Sequence, residues 1–352
     1  MKISILEVNL SAIKNNLANV RKLLKHNQRL CIVAKANCYG LGAKEVCKKL
    51  NKFADYFAVS SAKEFYEIRK VVDRPIVILD PVYKGLKRLI KSGAEITISN
   101  FESLSVLLEE IEFLNEIVKV HIAINTGMNR FGFKTKTDIF DAITILKKSQ
   151  KITIIGVFSH YYDVNNEKFA NLQYGKFLKI KKFCEEKFGL NSIYHLANSD
   201  GITLKNGFDM VRAGMVLYTD KSYQTITLKS KILDIQNLSK NETAGYSAVF
   251  VAKEQKRLAI VGIGYGDGIM RNIVKNGYVL INGKYAKIVA ICMDTMLVDI
   301  TKIDAKICDD VVLIGRSKNK QIFICDMASW CDTIDYEIIV RLSNRIERNY
   351  VS

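Results

Sequence analysis

The chain has 352 residues, of which 49% are hydrophobic and 25% are charged, with only two prolines. This composition is typical of an ordinary globular protein, and it excludes disordered, collagen-like and membrane-spanning classes. By length we expect one large domain and a smaller one, because single cores seldom grow beyond about 250 to 300 residues.

Lysine and arginine outnumber aspartate and glutamate by 53 to 36, which gives a net charge of +17. Such a surplus permits contact with nucleic acid, a membrane surface or anionic small molecules. The lysines, however, are spread through helical patterns beside leucine and phenylalanine, as on solvated helix faces. The eight cysteines form no CxxC pair, and the first residues lack a signal-peptide pattern. We therefore expect a cytoplasmic protein without a nucleic-acid or membrane partner.

From about residue 10 to residue 216, short β-rich apolar runs alternate with longer segments of helical period. The runs are Leu30 to Ala34, Tyr56 to Val59, Ile76 to Leu79, Glu95 to Ile98, Val118 to Ile124, Ile152 to Phe158, Ser192 to Leu196 and Met210 to Val211. Strand–helix units repeated in this way over roughly 200 residues predict an α/β fold, a closed (β/α)8 TIM-type barrel. An open doubly wound sheet with fewer strands is the alternative.

After about residue 222 the pattern changes to β-branched and aromatic runs separated by turn signals, which predicts a C-terminal, mostly β domain. The runs are Thr225 to Ile235, Ser247 to Ala252, Arg257 to Ile263, Tyr278 to Ile281, Lys287 to Ile291, Met296 to Val298, Asp310 to Leu313 and Gln321 to Ile324. The tetrapeptide INGK at 281–284 indicates a hairpin, and a final helix is expected over 336–345. We therefore expect two domains, 1–221 and 222–352.

In a barrel of this type the functional side chains lie at the carboxyl ends of the strands. Lys35 directly follows the first run, and partial burial there would lower the pKa of its amine and suit it to form a Schiff base with a carbonyl compound. Ser199, Gly214 and Met215 follow the last two runs, where many barrels bind a phosphate. A lysine and a phosphate site at one end of a barrel indicate pyridoxal 5′-phosphate.

Arg212 ends the last run among apolar positions, so its donors need acceptors. It could form a salt bridge, or it could donate to a cofactor nitrogen with His195 holding it.

Other segments that carry site-like patterns are set aside. VGIGYGDG at 261–268 lacks the spacing of a dinucleotide-binding loop, and GYSAV at 245–249 lacks the last glycine of a nucleophile elbow. The four histidines form no HExxH motif, so no metal is expected.

A series of segments resembles, in order, the motifs of the alanine racemase family, which is a fold-type III pyridoxal phosphate family. The segments are VAKANCYGLG, NTGMNRFGF, FSHYYD, HLANSD, VRAGMVLY, AGYSAVF, IGYGDGIMR, ICMDTMLVDI and DTIDYEII. Because the resemblance extends from the first strand to the last helix, it covers nearly the whole chain.

The resemblance implies a role for each matching residue. Lys35 would bind the cofactor and act as the base for the D-enantiomer, and Tyr246 of the partner subunit would be the opposite base in a homodimer with shared active sites. It further implies that Arg212, supported by His195, contacts the pyridine nitrogen and that His160 lies beside Tyr246. Arg130 and Met293 would bind the substrate carboxylate. The phosphate would be bound by Tyr39, Ser199, Gly214, Met215 and Tyr336. The enzyme would supply D-alanine for cell-wall peptidoglycan.

The chemistry agrees with that assignment. Racemisation needs an acid or base on each face of the α-carbon, and an arginine at the ring nitrogen keeps its proton and so disfavours transamination. A tyrosine, with an ordinary pKa near 10, acts as a base only where neighbouring cations such as Arg130 or a histidine lower that pKa.

The sequence departs from the family around the substrate arginine. Ala123 stands where a carbamylated lysine is common, and Asn125 stands where an aspartate is usual. Arg130 must therefore have another anionic partner, for which chloride and the substrate carboxylate are the candidates.

Other functions remain open at this stage. A racemase of the same family could act on serine or another small amino acid. A fold-type III decarboxylase would usually have an acidic residue where Arg212 stands, and a non-enzymatic single-barrel cofactor carrier would not need residues 222–352. A nucleic-acid binder would depend on the net charge alone.

Overall fold

A computed structural model describes residues 3–204, 208–219 and 224–352. Within these ranges the fold divides into two compact units. The barrel unit comprises the described residues of 17–38 and 43–217, and the β unit comprises those of 1–16, 39–42 and 218–352. The boundary predicted between residues 221 and 222 falls in 220–223, outside the described residues. Residues 3–16 and 39–42, which the sequence analysis assigned to the barrel domain, pack with the β unit.

The first strand, β1 (Ile5–Asn9), belongs to the β unit. The barrel unit contains, among its described residues, eight parallel strands in the order β8-β7-β6-β5-β4-β3-β2-β9. The strands are β2 (Arg29–Val33), β3 (Tyr56–Val59), β4 (Ile76–Ile78), β5 (Ala94–Ile98), β6 (Val118–Ala123), β7 (Ile152–Phe158), β8 (Ile193–His195) and β9 (Met210–Ala213). Every predicted apolar run of this half is a strand, so the barrel prediction is confirmed.

Backbone hydrogen bonds close the ring of strands between β8 and β9. The amide of Asp209 donates to Tyr194 O at 2.8 Å, and that of Arg212 donates to Ala197 O at 3.0 Å. The alternative of an open doubly wound sheet is therefore wrong.

Helices follow most of these strands, and side-chain caps fix where several of them begin. Ser61, Asn100 and Thr135 each accept a hydrogen bond from the third backbone amide of the helix that follows, which satisfies a donor that the helix cannot pair. The helices are Leu10–Leu23, Ala43–Leu50, Ala62–Arg69, Leu86–Lys91, Phe101–Ile111, Lys136–Lys148, Glu167–Phe188 and Val216–Thr219. None of the described helices is long and apolar enough to cross a membrane.

The β unit is organised by the long strand β10 (Ile226–Leu238), which pairs with β1, with β13 (Lys256–Val261) and with β17 (Asp310–Ser317). Its other strands are β11 (Thr243–Ala244), β12 (Phe250–Val251), β13 (Lys256–Val261), β14 (Tyr278–Ile281), β15 (Lys284–Ile291), β16 (Met296–Asp299), β17 (Asp310–Ser317), β18 (Lys320–Ile322) and β19 (Glu347–Val351). The predicted hairpin is confirmed: Ile281 pairs with Lys284, and Asn282 and Gly283 have φ of 52° and 80°, as a type I′ turn requires.

The structure corrects the sequence prediction in the β unit, where Ile324, expected to end a strand, begins the helix Ile324–Trp330. The strand expected over 247–252 is interrupted by a tight turn at Tyr246–Ala248 between β11 and β12. The predicted final helix is confined to Asp335–Val340, and the chain ends in β19, which pairs in parallel with β1. The sequence of β19 is polar and half-exposed along its length, so it carried no apolar signal.

Candidate active site

Lys35 stands at the start of an unusual backbone turn. The residues from Ala36 to Tyr39 have φ between 50° and 56°, a left-handed conformation that costs non-glycine residues about 1–2 kcal/mol each. Side chains hold the turn in place: Glu64 Oε1 accepts from Ala36 N at 2.8 Å, and Asn37 Oδ1 accepts from Ala43 N at 2.7 Å. Strained backbone conformations of this kind cluster at active sites.

The surroundings of Lys35 lower the pKa of its amine. Burial is the main cause, the positive charge of Arg130 adds to it, and the negative charges of Asp80 and Glu64 oppose it. A lowered pKa increases the neutral, nucleophilic fraction of the amine at a given pH. Burial also raises the pKa of Asp80, although Lys35 and Arg130 oppose that rise.

Arg212 is 3% exposed, and its acceptors among the described residues are uncharged. Nη1 donates to His195 Nδ1 at 2.6 Å, and Nη2 donates to Ser159 O at 2.6 Å and to His160 Nδ1 at 3.1 Å. Further bonds reach the carbonyl oxygens of His195 and Leu196. Burial lowers the pKa of Arg212 to about 10, which leaves the guanidinium charged at neutral pH.

The two histidines that contact Arg212 are neutral. Burial and the charge of Arg212 lower the pKa of His160 to about 3 and hold the pKa of His195 well below its ordinary value. The side chain of Phe158 stacks on the His195 ring, with centroids 5.0 Å apart. The structure thus brings Arg212, His195 and His160 together at one end of the barrel.

Ser199 joins the ends of the last two barrel strands. Its hydroxyl oxygen accepts from the amides of Gly214 at 2.9 Å and of Val216 at 3.4 Å. Met215 lies between them in the chain and is buried. Amides and a hydroxyl gathered in this way are donors of the kind that bind a phosphate group.

The side chain of Asn125 forms hydrogen bonds within the loop after β6. Asn125 Oδ1 accepts from the amides of Gly127 and Asn129, at 3.0 and 3.1 Å, so this side chain folds the loop onto itself. Ala123 is buried at the end of β6. Arg130 is exposed and forms no ion pair with any described carboxylate, although the positive charges of Arg130 and Lys35 both act on Asp80 and oppose the rise of its pKa.

The remaining predicted residues belong to the β unit. Tyr39 and Tyr336 contact each other edge to face, with centroids 5.9 Å apart. Tyr246 and Met293 are 70% and 51% exposed. The glycine-rich segment set aside in the sequence supports Met293: the amide of Gly266 donates to Met293 O at 2.8 Å, and a Cβ at Gly264 would lie 2.4 Å from that oxygen.

Sequence reasoning missed two polar side chains below the mouth of the barrel. Glu95 and His121 are buried and hydrogen-bonded to each other, and His121 also contacts His195. The available signal was a carboxylate and an imidazole in strands that are otherwise apolar, since such groups are buried only when paired.

A parallel barrel with a lysine, an arginine and phosphate-type donors at its strand ends defines a class, the pyridoxal phosphate enzymes built on a (β/α)8 barrel. Family models described as the N-terminal and the C-terminal domain of alanine racemase match residues 8–222 and 225–350. The chain belongs to the alanine racemase family.

Individual relatives agree along the whole length. An alanine racemase of Thermodesulfovibrio yellowstonii is 29% identical over 98% of this chain and 97% of that protein. Alanine racemase 2 of Caldanaerobacter subterraneus subsp. tengcongensis is 31% identical over 98% of this chain and 94% of that protein. The solved alanine racemase of Clostridium difficile 630 is similar with a TM-score of 0.92 at 30% identity, covering 99% of this chain and 96% of that one.

Proposed function

We propose that this protein interconverts L-alanine and D-alanine with pyridoxal 5′-phosphate as cofactor. The observation that carries the proposal is a lysine amine of lowered pKa at the same strand ends as a buried arginine held by two neutral histidines. Membership of the alanine racemase family supports alanine as the substrate.

The donors of the barrel unit fit this cofactor. The Lys35 amine suits an aldehyde, the Ser199 hydroxyl and the amide of Gly214 suit a phosphate, and Arg212 suits a ring nitrogen that accepts a hydrogen bond. The further phosphate contacts assigned are Tyr39, Met215 and Tyr336. When bound, the cofactor supplies a conjugated ring that stabilises negative charge at the α-carbon.

The residues of this chain would move the proton. Racemisation requires a base on one face of the α-carbon and an acid on the other. We assign the Lys35 amine to the face that takes the α-proton of D-alanine, and the hydroxyl of Tyr246 of the partner subunit to the opposite face. Arg130 and the Met293 segment would bind the substrate carboxylate. Because Arg212 keeps its proton, it would hold the ring nitrogen without protonating it.

The proposal includes a homodimer with shared active sites. The high exposure of Tyr246 and Met293 supports it, since a base and a binding residue must be shielded from water to act. A mixture of Lys35→Ala chains with Tyr246→Phe chains tests it. If sites are shared, mixing two inactive variants restores about a quarter of the wild-type activity, because random pairing makes half the dimers mixed and each mixed dimer has one intact site. No recovery after verified subunit exchange would contradict the shared site.

Proton NMR in D2O tests the activity itself. With the cofactor-loaded protein we expect loss of the α-proton signal of L-alanine together with accumulation of D-alanine in a chiral assay. Faster exchange with L-serine would instead identify a serine racemase, and exchange with neither amino acid would contradict the proposed function. Carbon dioxide release from a basic amino acid would revive the decarboxylase alternative, which the matches to both racemase domains do not favour.

A cytoplasmic location and a supply of D-alanine to peptidoglycan complete the proposal. Complementation of a bacterial D-alanine auxotroph tests the supply: the wild-type gene should restore growth without added D-alanine, and a Lys35→Ala gene should not.

A further inference from the structure

A chain of hydrogen bonds runs from Arg212 into the barrel and ends at a carboxylate. Arg212 Nη1 lies 2.6 Å from His195 Nδ1, His195 Nε2 lies 3.1 Å from His121 Nδ1, and His121 Nε2 lies 2.9 Å from Glu95 Oε2. Glu95 is 2% exposed and both imidazoles are fully buried. We call these four side chains the buried chain.

The protons of the buried chain can be placed by elimination. Arginine only donates, so His195 Nδ1 accepts and, in the neutral ring, the proton of His195 is on Nε2. That proton points at His121 Nδ1, which must therefore accept, and this leaves the His121 proton on Nε2 facing Glu95. All three bonds then point from the guanidinium toward the carboxylate, with both imidazoles neutral.

The strands are shaped to admit the buried chain. His121 on β6 reaches His195 on β8 across β7, where Gly156 stands. A Cβ on Gly156 would lie 2.0 Å from His121 Nδ1, so only glycine leaves room for the ring. The pairing of β6 with β7 shifts by one residue between Val120 and His121, because β7 has one extra residue there, and this places His121 opposite Gly156. The ring of His121 also contacts Tyr56 on β3, with centroids 6.5 Å apart, so it lies inside the ring of strands.

Charge explains why the buried chain ends in glutamate. Among the described residues, His121 is the one hydrogen-bond partner of the Glu95 carboxylate, and no described carboxylate forms an ion pair with Arg212. A buried carboxylate without a donor would be strongly unfavourable, as would a His121 N–H without an acceptor. The Glu95 carboxylate therefore receives a hydrogen bond only if His121 has the tautomer that Arg212 imposes. In turn, Glu95 keeps the His121 proton on Nε2, which leaves His195 Nδ1 free to accept from Arg212.

We propose that Glu95 and His121 are positioning residues, which fix the tautomer of His195 so that its Nδ1 always accepts from Arg212 and holds the guanidinium in place. The inference concerns the same site as the proposed racemase function and rests on it for its role in catalysis. The hydrogen-bond arrangement involves side chains of this chain alone, so it can be tested without any reaction.

The first measurement is ¹⁵N–¹H NMR of the cofactor-free protein labelled at histidine, whose four signals can be assigned by single substitutions. We expect His121 and His195 each to carry a single ring proton, on Nε2. A proton on His195 Nδ1, or a doubly protonated His121, would overturn the proposal directly.

Three variants separate the hydrogen bond from packing. Glu95→Leu removes the acceptor, and we expect His121 to populate both tautomers and the signals of His195 to change. Glu95→Gln keeps an acceptor oxygen and should restore the wild-type tautomers. Thr97→Val is the matched control, because Thr97 is fully buried on the same strand and its hydroxyl has no hydrogen-bond partner in the described part of the chain. It should leave both histidines unchanged.

The loaded enzyme then shows whether the buried chain matters for the reaction. Glu95→Leu should lower kcat for alanine by roughly 10–100-fold, the size of effect seen when a supporting shell is removed, with a changed visible absorption spectrum and little change in KM. Glu95→Gln should recover most of kcat. If Glu95→Leu matches Thr97→Val in spectra and kcat, the proposal is wrong. If the wild type fails to racemise alanine, the proposed function fails while the NMR result stands separately.

Discussion

Two groups of candidate site residues, one in each unit, differ sharply in their exposure. In the barrel unit Arg212, His195 and His121 are buried and bonded to one another, with 3% exposure at most. In the β unit Tyr246 and Met293 are more than half exposed. The side chains that hold the Arg212 guanidinium in place therefore all come from one chain. Tyr246 and Met293, which are proposed to contact the substrate, lie on a surface that a second subunit would have to cover.

The largest effect is expected in the barrel unit, from Lys35→Ala. Loss of one catalytic base should lower kcat by roughly 10²–10⁴-fold or more, and the variant should no longer bind the cofactor covalently. Racemisation of L-alanine and D-alanine followed by polarimetry measures the first effect, and cofactor retention on gel filtration measures the second. Lys52→Ala, an exposed lysine, is the control and should behave as wild type. Full activity of Lys35→Ala would refute the assignment.

Tyr246→Phe tests the exposed side of the comparison. We expect a loss of roughly 10²–10⁴-fold in kcat, with retained cofactor binding and a change in unfolding free energy within about 0.5 kcal/mol, because the side chain is 70% exposed and packs little. Chemical denaturation and steady-state kinetics separate the two. Tyr278→Phe, on a strand distant in sequence, should change neither. A Tyr246→Phe variant that unfolds easily would mean that the exposed tyrosine is structural.

Gly156→Ala tests how tightly the His121 ring is packed against β7 in the barrel unit. The added Cβ would lie 2.0 Å from His121 Nδ1, and relieving such an overlap typically costs about 1–3 kcal/mol. Gly175→Ala is a matched control with the opposite sign, since Gly175 lies inside the helix Glu167–Phe188 with no atom within 4 Å and should gain about 0.5–1 kcal/mol. Urea unfolding of both variants measures the difference, and equal stability would show that the His121 ring can move.

The sequence predicted what depends on local pattern. Apolar runs located every barrel strand, and the position of Lys35 after its run placed it at a strand end. The buried chain could not be predicted because its members meet only through the order of the strands, a register shift between β6 and β7 and the space that Gly156 leaves for the His121 ring. The turn at Tyr246 was missed because Gly245, with φ of 78°, breaks a run that otherwise alternates like a strand.

Asp80→Asn should have the smallest effect, and it is a shift in pH dependence. The negative charge of Asp80 raises the pKa of Lys35, whereas burial, Arg130 and Arg212 lower it. Removing the Asp80 charge leaves the lowering influences opposed only by Glu64, so the pKa of Lys35 should fall further. At a given pH below that pKa, more of the amine is then neutral and able to attack the cofactor aldehyde.

The rate at which cofactor-free protein captures pyridoxal phosphate, followed by absorbance as a function of pH, should therefore move to lower pH in Asp80→Asn. Asp73→Asn is the control, because Asp73 is exposed and does not act on Lys35. A shift to higher pH, or no shift, would mean that the charge of Asp80 does not raise the pKa of Lys35. The candidates for the anionic partner of Arg130 would then again be the substrate carboxylate and chloride.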